Sequence, residues 1–134
     1  DLTAKGLEQY AQKGEKLNNL RFGLAKAERL PFEDNSQTIV MNSFLLDRLE
    51  NPIKGLKEMY RVLKPTGKLI LISPLNFKKA EHWKIYYPPS QLSTIVKEIG
   101  FKVLDWNEDI IVHEPLDGHG NVVCWKCLGF VVEK

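Results

Sequence analysis

Apolar residues recur at intervals of three and four positions in three segments of the chain, which is the spacing of one face of an α-helix. The predicted helices span residues 2–20, 52–63 and 90–99. The second has Pro52 at its first turn, where an amide would have no helical partner. The third begins with Ser90 as its cap and stops at Gly100.

Runs of β-branched and other apolar residues predict five strands. They span residues 20–25, 38–41, 68–73, 101–106 with a tail to 112, and 122–132. The strands at 38–41 and 68–73 are uninterrupted apolar runs, typical of strands that helices bury on both faces. Residues 64–67, Lys-Pro-Thr-Gly, form a turn after the second helix, and residues 74–89 form a connecting stretch.

The order helix, strand, strand, helix, strand, helix, strand, strand predicts an α/β fold around a mostly parallel sheet. No helix separates the last two strands, so we expect them to form an antiparallel pair at one edge.

Composition is typical of one globular domain: the 134 residues are 43% hydrophobic and 27% charged, which excludes disordered, collagenous and disulfide-scaffold proteins. The net charge of +2 does not predict a nucleic-acid partner. The longest apolar run, residues 69–72, is too short to span a membrane. The chain begins with Asp1 rather than Met, and its two cysteines and lack of a visible export signal predict a cytoplasmic protein.

Two segments of this sequence resemble a known family. Residues 27–36 read AERLPFEDNS, and residues 58–68 read EMYRVLKPTGK. Together with residues 52–56, they resemble the class I S-adenosylmethionine-dependent methyltransferases, in the type 11-like branch that includes ubiquinone/menaquinone-type and other small-molecule enzymes. The second segment is the more specific, because an acidic residue, Arg-Val-Leu and a Lys-Pro-x-Gly turn rarely coincide at this spacing.

The resemblance extends over effectively the whole chain and implies a Rossmann-like methyltransferase sheet. Residues 1–134 then form a single, partial domain without the N-terminal strand–helix units and their glycine-rich turn. The implied cofactor is S-adenosylmethionine, and the implied activity is methyl transfer to a small-molecule acceptor, incomplete in this chain alone.

The resemblance places the cofactor against seven residues: Asp1, Leu2, Lys26, Ala27, Glu28, Asn42 and Ser43. The carboxylate of Asp1 matches the family's ribose-binding acid, and Leu2 would lie against the adenine. Lys26 stands where the family has an aspartate, and because an ammonium group cannot accept a hydrogen bond from adenine, Glu28 is the substitute. Backbone carbonyls of Asn42 and Ser43 would face the methionine amino group.

No residue is singled out as catalytic. The cofactor's sulfonium is already activated, so the protein supplies proximity and orientation, with a base only where the acceptor needs one. By residue type alone, candidate bases are Asp47, Tyr86, Tyr87 and His113. We expect the acceptor to bind near residues 42–47 and the aromatic segment 83–89.

His113, His119, Cys124 and Cys127 have the residue types of a zinc site. Residues three apart on a strand point to opposite faces, so we expect two separate thiols and no metal. A non-catalytic interaction or regulatory module is the alternative to an enzyme, since Lys26 and the missing glycine turn remove cofactor contacts. A metal-binding module is the third reading.

Strand pairing is the remaining question. In the family, the first strand lies between the second and the fourth, and without it the segments 20–25 and 38–41 have unpaired edges. We expect the two segments to pair directly, to form a homodimer through these edges, or to pair with residues outside this sequence.

Overall fold

The computed structural model describes residues 19–134 of the chain. Its elements follow one another in this order: β1 (Gln37–Ser43), a 3-10 turn (Leu46–Arg48), α1 (Pro52–Val62), β2 (Leu63–Ser73), α2 (Ala80–Tyr86), α3 (Pro89–Ile99), β3 (Lys102–Pro115) and β4 (Val122–Glu133). The predicted helix at residues 2–20 lies outside the described residues, apart from its last two.

The four strands form one sheet in the order β1-β2-β4-β3. β1 and β2 are parallel, whereas β4 is antiparallel to both β2 and β3. The predicted antiparallel pair at one edge is therefore confirmed, with β3 as the edge strand. Of the three pairings in residues 19–134, one is parallel, so the described part of the sheet is mixed.

Helix α1 begins where the sequence predicts. The side chain of Asn51 accepts a hydrogen bond from the Lys54 amide at 3.0 Å, and Pro52 occupies the first turn. The apolar stripe buries Leu56 and Met59.

The predicted turn at residues 64–67 is a bulge inside a longer strand. The sheet register steps from the Gln37–Leu63 pair to the Ile39–Lys68 pair, so β2 carries extra residues at this point. A Cβ on Gly67 would lie 2.8 Å from the carbonyl oxygen of Lys64. Only glycine fits there, which explains its place in the Lys-Pro-x-Gly sequence.

The predicted strand at residues 20–25 is wrong. The segment has no strand pairing, and an isolated bridge between Lys26 and Arg29 follows it. Its side chains are exposed, among them Leu20, Phe22 and Leu24. Alternation of apolar and polar residues identified a sequence able to form a strand, but no neighbouring strand in residues 19–134 pairs with it. The expected direct pairing with the strand at 38–41 is wrong for the same reason.

The core lies on one face of the sheet in the described part of the chain. Helices α1 and α3 contact each other and pack on Leu69 and Leu71 of β2 and on Phe130 and Val132 of β4. The expectation that β1 is buried on both faces is wrong, because Ile39 is 59% and Met41 is 72% exposed.

The connection from β2 to α3 contains the helix α2, which the sequence did not predict. Helix α3 starts at Pro89, and its cap residue is Pro88, without a side-chain hydrogen bond. The predicted Ser90 cap is therefore wrong, whereas the stop at Gly100 (φ 123°) is confirmed. None of the helices in residues 19–134 is long and apolar enough to cross a membrane.

Candidate functional site

The carboxyl ends of the two parallel strands carry unusual backbone conformations. Phe44, directly after β1, has φ 54°, and Leu75, two residues after β2, has φ 51°. Bulky residues rarely adopt positive φ, and such strain concentrates at functional sites. In α/β sheets, ligands bind beyond this edge of the strands. We therefore expect a ligand site between the two loops at this edge.

A buried carboxylate joins these two loops. Asp47 accepts hydrogen bonds from the Ser73 hydroxyl at 3.2 Å and from the Asn76 amide at 3.1 Å, and it is only 2% exposed. The Ser73 hydroxyl in turn accepts from the Leu75 amide at 3.1 Å. We call these residues the Asp47 clamp. It holds the loop after β1 against the loop after β2.

A cleft of about 750 Å³ opens at this edge, and we call it the main cleft. Its walls are residues from the loop 23–30 and from the segment 45–54, which runs from the loop after β1 into the first turn of α1. Apolar surface comes from Leu30, Leu45 and Leu49, and the charged lining residues are Lys26, Glu28, Arg48, Glu50 and Lys54. The volume lies in the range of small-molecule and cofactor sites, roughly 300–1,000 Å³.

Glu58 and Arg61 on α1 hold the first wall of the main cleft. Arg61 makes five hydrogen bonds: two to the Glu58 carboxylate, one to Asp34, and one each to the carbonyls of Leu30 and Phe32. Glu58 also accepts from the Leu30 amide at 2.9 Å. The neighbouring guanidinium lowers the pKa of Glu58. A planar guanidinium with five donors suits this arrangement in a way that lysine does not.

The structure brings together three of the seven predicted cofactor residues. Lys26, Ala27 and Glu28 all line the main cleft. The Glu28 carboxylate accepts from the Asn51 amide at 3.3 Å, which ties the loop to the start of α1. Asp1 and Leu2 lie outside the described residues.

Asn42 and Ser43 lie near this edge but do not line the main cleft. Asn42 is 2% exposed and donates to the Met59 sulfur at 3.6 Å. In the described part of the chain, its Oδ1 is buried without a hydrogen-bond partner. Such an atom costs about 1–3 kcal/mol, so Asn42 is not explained by packing.

A second, smaller cavity of about 270 Å³ lies beside the end of β2. We call it the aromatic cavity, because Trp83 and Tyr87 form one wall, with ring centroids 5.3 Å apart. The Trp83 indole donates to the Phe77 carbonyl at 2.7 Å, which fixes its orientation. Glu108 and Lys126 line the cavity from the other side.

The four candidate bases do not converge. Asp47 is buried in its clamp, and Tyr86 is 3% exposed, with its pKa raised by burial. His113 is exposed on β3 and lines neither cavity. Tyr87 lines the aromatic cavity and is 49% exposed. Of the four, Tyr87 is the one that a ligand in a described cavity could touch.

The two cysteines point to opposite sides of β4, as predicted. Cys124 is exposed and Cys127 is buried. Burial is the larger cause, and the charge of Asp47 the smaller, of the raised pKa of the Cys127 thiol. Among residues 19–134, no three His, Cys, Asp or Glu side chains cluster as metal ligands do.

Comparison with known proteins identifies the family. A family model described as a methyltransferase domain matches residues 1–71, just over half of the 134. The chain belongs to the methyltransferase domain family. The family predicted from the sequence is thereby confirmed.

Curated relatives of this methyltransferase domain include the ubiquinone/menaquinone biosynthesis C-methyltransferase UbiE of Rickettsia bellii. It is 38% identical over 92 residues, which cover 64% of this chain and 37% of the relative. The demethylmenaquinone methyltransferase of Chlorobaculum tepidum is 35% identical over 79 residues, covering 59% of this chain and 33% of that protein. The chain therefore spans well under half the length of these relatives.

Solved structures confirm the Rossmann-like methyltransferase fold. An S-adenosylmethionine-dependent methyltransferase from Mesorhizobium loti matches with a TM-score of 0.68 at 12% identity, over 100% of this chain and 78% of that chain. The [4+2]-cyclase SpnF matches with a TM-score of 0.69 at 17% identity, over 98% and 62%. The first of these descriptions names S-adenosylmethionine, which is also the cofactor predicted from the sequence.

Proposed function

We propose that this domain takes part in S-adenosylmethionine-dependent methyl transfer to a small-molecule acceptor. The observation that carries the proposal is the main cleft, in which Lys26, Ala27 and Glu28 meet the loop after β1 at the carboxyl edge of the sheet. That edge is where α/β sheets bind ligands. The family membership supplies the chemistry, because the fold alone is shared by enzymes of different reactions.

The residues of the main cleft fit the nucleoside part of this cofactor. Leu30, Leu45 and Leu49 offer apolar surface to a flat base, and the Glu28 carboxylate can accept hydrogen bonds from its amino group. Glu28 already accepts one from the Asn51 amide, and this bond keeps its carboxylate in place. Lys26 offers no acceptor, so the recognition of adenine rests on Glu28.

Asn42 lies near the expected position of the amino acid end of the cofactor, although its side chain lines neither described cavity. The Oδ1 atom of Asn42 is a buried acceptor near the carboxyl end of β1. It lies close to the position where backbone carbonyls were expected to face the methionine ammonium. Ser43, the next residue, is exposed at the same edge.

When bound, S-adenosylmethionine supplies an activated methyl group, so the protein has to hold donor and acceptor in line and keep water away. The Asp47 clamp serves the first task, because it fixes the loop after β1 relative to the loop after β2. The names of the curated relatives support a quinone-type acceptor.

Isothermal titration calorimetry of the protein with S-adenosylmethionine tests this proposal. We expect saturable binding. We also expect Glu28→Gln to weaken this binding, because a glutamine amide offers one acceptor oxygen where the carboxylate offers two. Glu33→Gln is the matched control, since Glu33 is exposed on the same loop region and lines neither cavity.

Lys26→Asp is the complementary variant, because it introduces the acid that the family has at this position. Tighter binding by Lys26→Asp supports the placement of adenine in the main cleft. Absence of binding by both the parent protein and Lys26→Asp would favour the alternative, a non-catalytic module with this fold.

A further inference from the structure

Strand β1 leaves one edge of the sheet open in the described part of the chain. It pairs with β2 on one side, and no strand within residues 19–134 pairs with its other side. Such an edge presents a row of backbone N–H and C=O groups to which another strand can bind. Because the segment 20–25 forms no strand, the remaining candidates for this edge are a second copy of the chain and residues outside the described range.

The two edge strands of the sheet differ in charge. β1 reads QTIVMNS, with no charged residue, proline or glycine. The opposite edge strand, β3, has two register irregularities and five acidic or basic residues, which are Lys102, Asp105, Glu108, Asp109 and Glu114. Charges and bulges are the features that keep an edge strand from pairing with another chain. β3 has this protection along its length, whereas β1 is open to a partner.

The face of β1 that points away from α1 is apolar and exposed. Ile39 is 59% and Met41 is 72% exposed, and they alternate with Val40, which packs on the core. On this outer face Met41 lies beside Ile70 of β2, and Ile70 lies beside Val131 of β4. An apolar row therefore crosses the sheet and ends at the open edge, where a further strand with apolar residues would extend it.

The order of polar and apolar residues in β1 is symmetric about its central residue, Val40. Two polar residues, three apolar residues and two polar residues follow one another. If two copies of β1 pair antiparallel about Val40, apolar residues face apolar residues and polar residues face polar ones. The facing pairs are Ile39 with Met41, Thr38 with Asn42, and Gln37 with Ser43. A two-fold interface requires a surface that is complementary to itself, and β1 meets this requirement.

We propose that the chain forms a two-fold dimer in which the β1 strands of two copies pair antiparallel about Val40. The two four-stranded sheets then become one continuous sheet, and Ile39 and Met41 of both copies form one apolar cluster on its outer face. The strand is seven residues long, whereas a stable interface uses roughly 20–30 residues from each partner. We therefore expect a reversible dimer whose population rises with protein concentration. The proposal needs neither the main cleft nor the cofactor, so it is independent of the proposed function.

Sedimentation velocity of the full chain over a range of concentrations tests the dimer. We expect the weight-average mass to rise from that of one chain towards that of two. A single-chain mass at every concentration up to about 1 mM would overturn the proposal, and it would indicate that β1 has no second copy as its partner.

Two variants test which edge pairs and in which register. Ile39→Lys and Met41→Glu each remove two apolar facing pairs from the dimer, so we expect each to raise its dissociation constant about tenfold. In an equimolar mixture of the two variants, the new ammonium group of one chain faces the new carboxylate of the other. The mixture should therefore associate more strongly than either variant alone, and added salt should weaken this gain.

Leu104→Lys is the matched control, because it places the same charge at an exposed apolar position of the opposite edge strand. It should dimerise as the parent does. Parental dimerisation of both Ile39→Lys and Met41→Glu would overturn the assignment to β1, and a mixture no stronger than its components would overturn the antiparallel register.

Hydrogen exchange of the parent protein gives a second measurement that needs no variant. Pairing at the open edge protects the amides of β1 that point away from β2, so their exchange with deuterium should slow as the protein concentration rises. If circular dichroism shows that Ile39→Lys or Met41→Glu is unfolded, this measurement decides. Exchange of the β1 amides that is independent of concentration, in samples that do dimerise, would overturn the proposal.

Discussion

Ser73→Ala is the most direct perturbation of the Asp47 clamp. It removes one hydroxyl, which donates to Asp47 at 3.2 Å and accepts from the Leu75 amide at 3.1 Å. Ser73 is 0% exposed, so water does not reach the position in the native fold. Asp47 keeps its bond from the Asn76 amide, but the Leu75 amide loses its partner.

Two terms determine the size of the effect. A hydrogen bond to a charged group contributes about 1.5–3 kcal/mol, and a buried amide left without a partner costs about 1–3 kcal/mol. The two terms share one hydroxyl and are not additive, so we expect Ser73→Ala to lower the free energy of unfolding by about 2–4 kcal/mol. At this chain length, that corresponds to a fall in Tm of roughly 6–15 °C.

Urea unfolding, followed by far-ultraviolet circular dichroism, measures this difference. We expect the midpoint to fall while the slope m stays the same, because the change alters stability and not the surface exposed on unfolding. Ser90→Ala is the matched control: Ser90 is exposed, and its replacement should change the free energy of unfolding by no more than about 0.5 kcal/mol. A loss in Ser73→Ala as small as that of the control would refute the clamp.

Three further outcomes follow from the structure. Arg61→Lys loses the planar fork that holds Glu58, so the Leu30 amide should exchange faster with deuterium by NMR. Because the pKa of Glu58 lies below its ordinary 4.5, its stabilising contribution is present above pH 4.5 and lost on acidification through the lower folded pKa. The difference in urea midpoint between the parent and Glu58→Gln should therefore shrink at acidic pH. A thiol reagent should modify Cys124 in the native protein and Cys127 only after denaturation.

The elements that the sequence predicted correctly are those whose signal is local. The apolar stripe of residues 52–63 and the proline at its first turn specify α1 without reference to any other segment. The Lys-Pro-x-Gly sequence correctly marks the end of α1, but its predicted turn is a bulge inside β2. In contrast, a strand needs a neighbouring strand to pair with. The alternation of apolar and polar residues in 20–25 could not show that the described residues contain no such neighbour.

The candidate site was predictable only where it coincided with the family motif. Lys26, Ala27 and Glu28 were predicted and do line the main cleft. Ser73 was missed because its role depends on Asp47, 26 residues earlier in the chain, and a hydrogen bond across that separation leaves no local pattern. Glu58 and Arg61 were noted only as part of a family signature. The sequence did carry a clue to their role, since residues three apart on a helix can form an ion pair.

The prediction that β1 is buried on both faces was wrong because an apolar run does not determine burial by itself. Val40 and Asn42 face α1, where Val40 packs on the core and Asn42 lies beside Met59. Ile39 and Met41 alternate with them and point to the opposite face, where they remain largely exposed in the part of the chain that the structure describes. An apolar run therefore predicts that a strand has apolar side chains on both faces. It does not predict which element covers each face. In this sheet, the helices that the sequence predicted correctly cover only one of the two faces, so hydrophobicity alone could not decide the burial of β1.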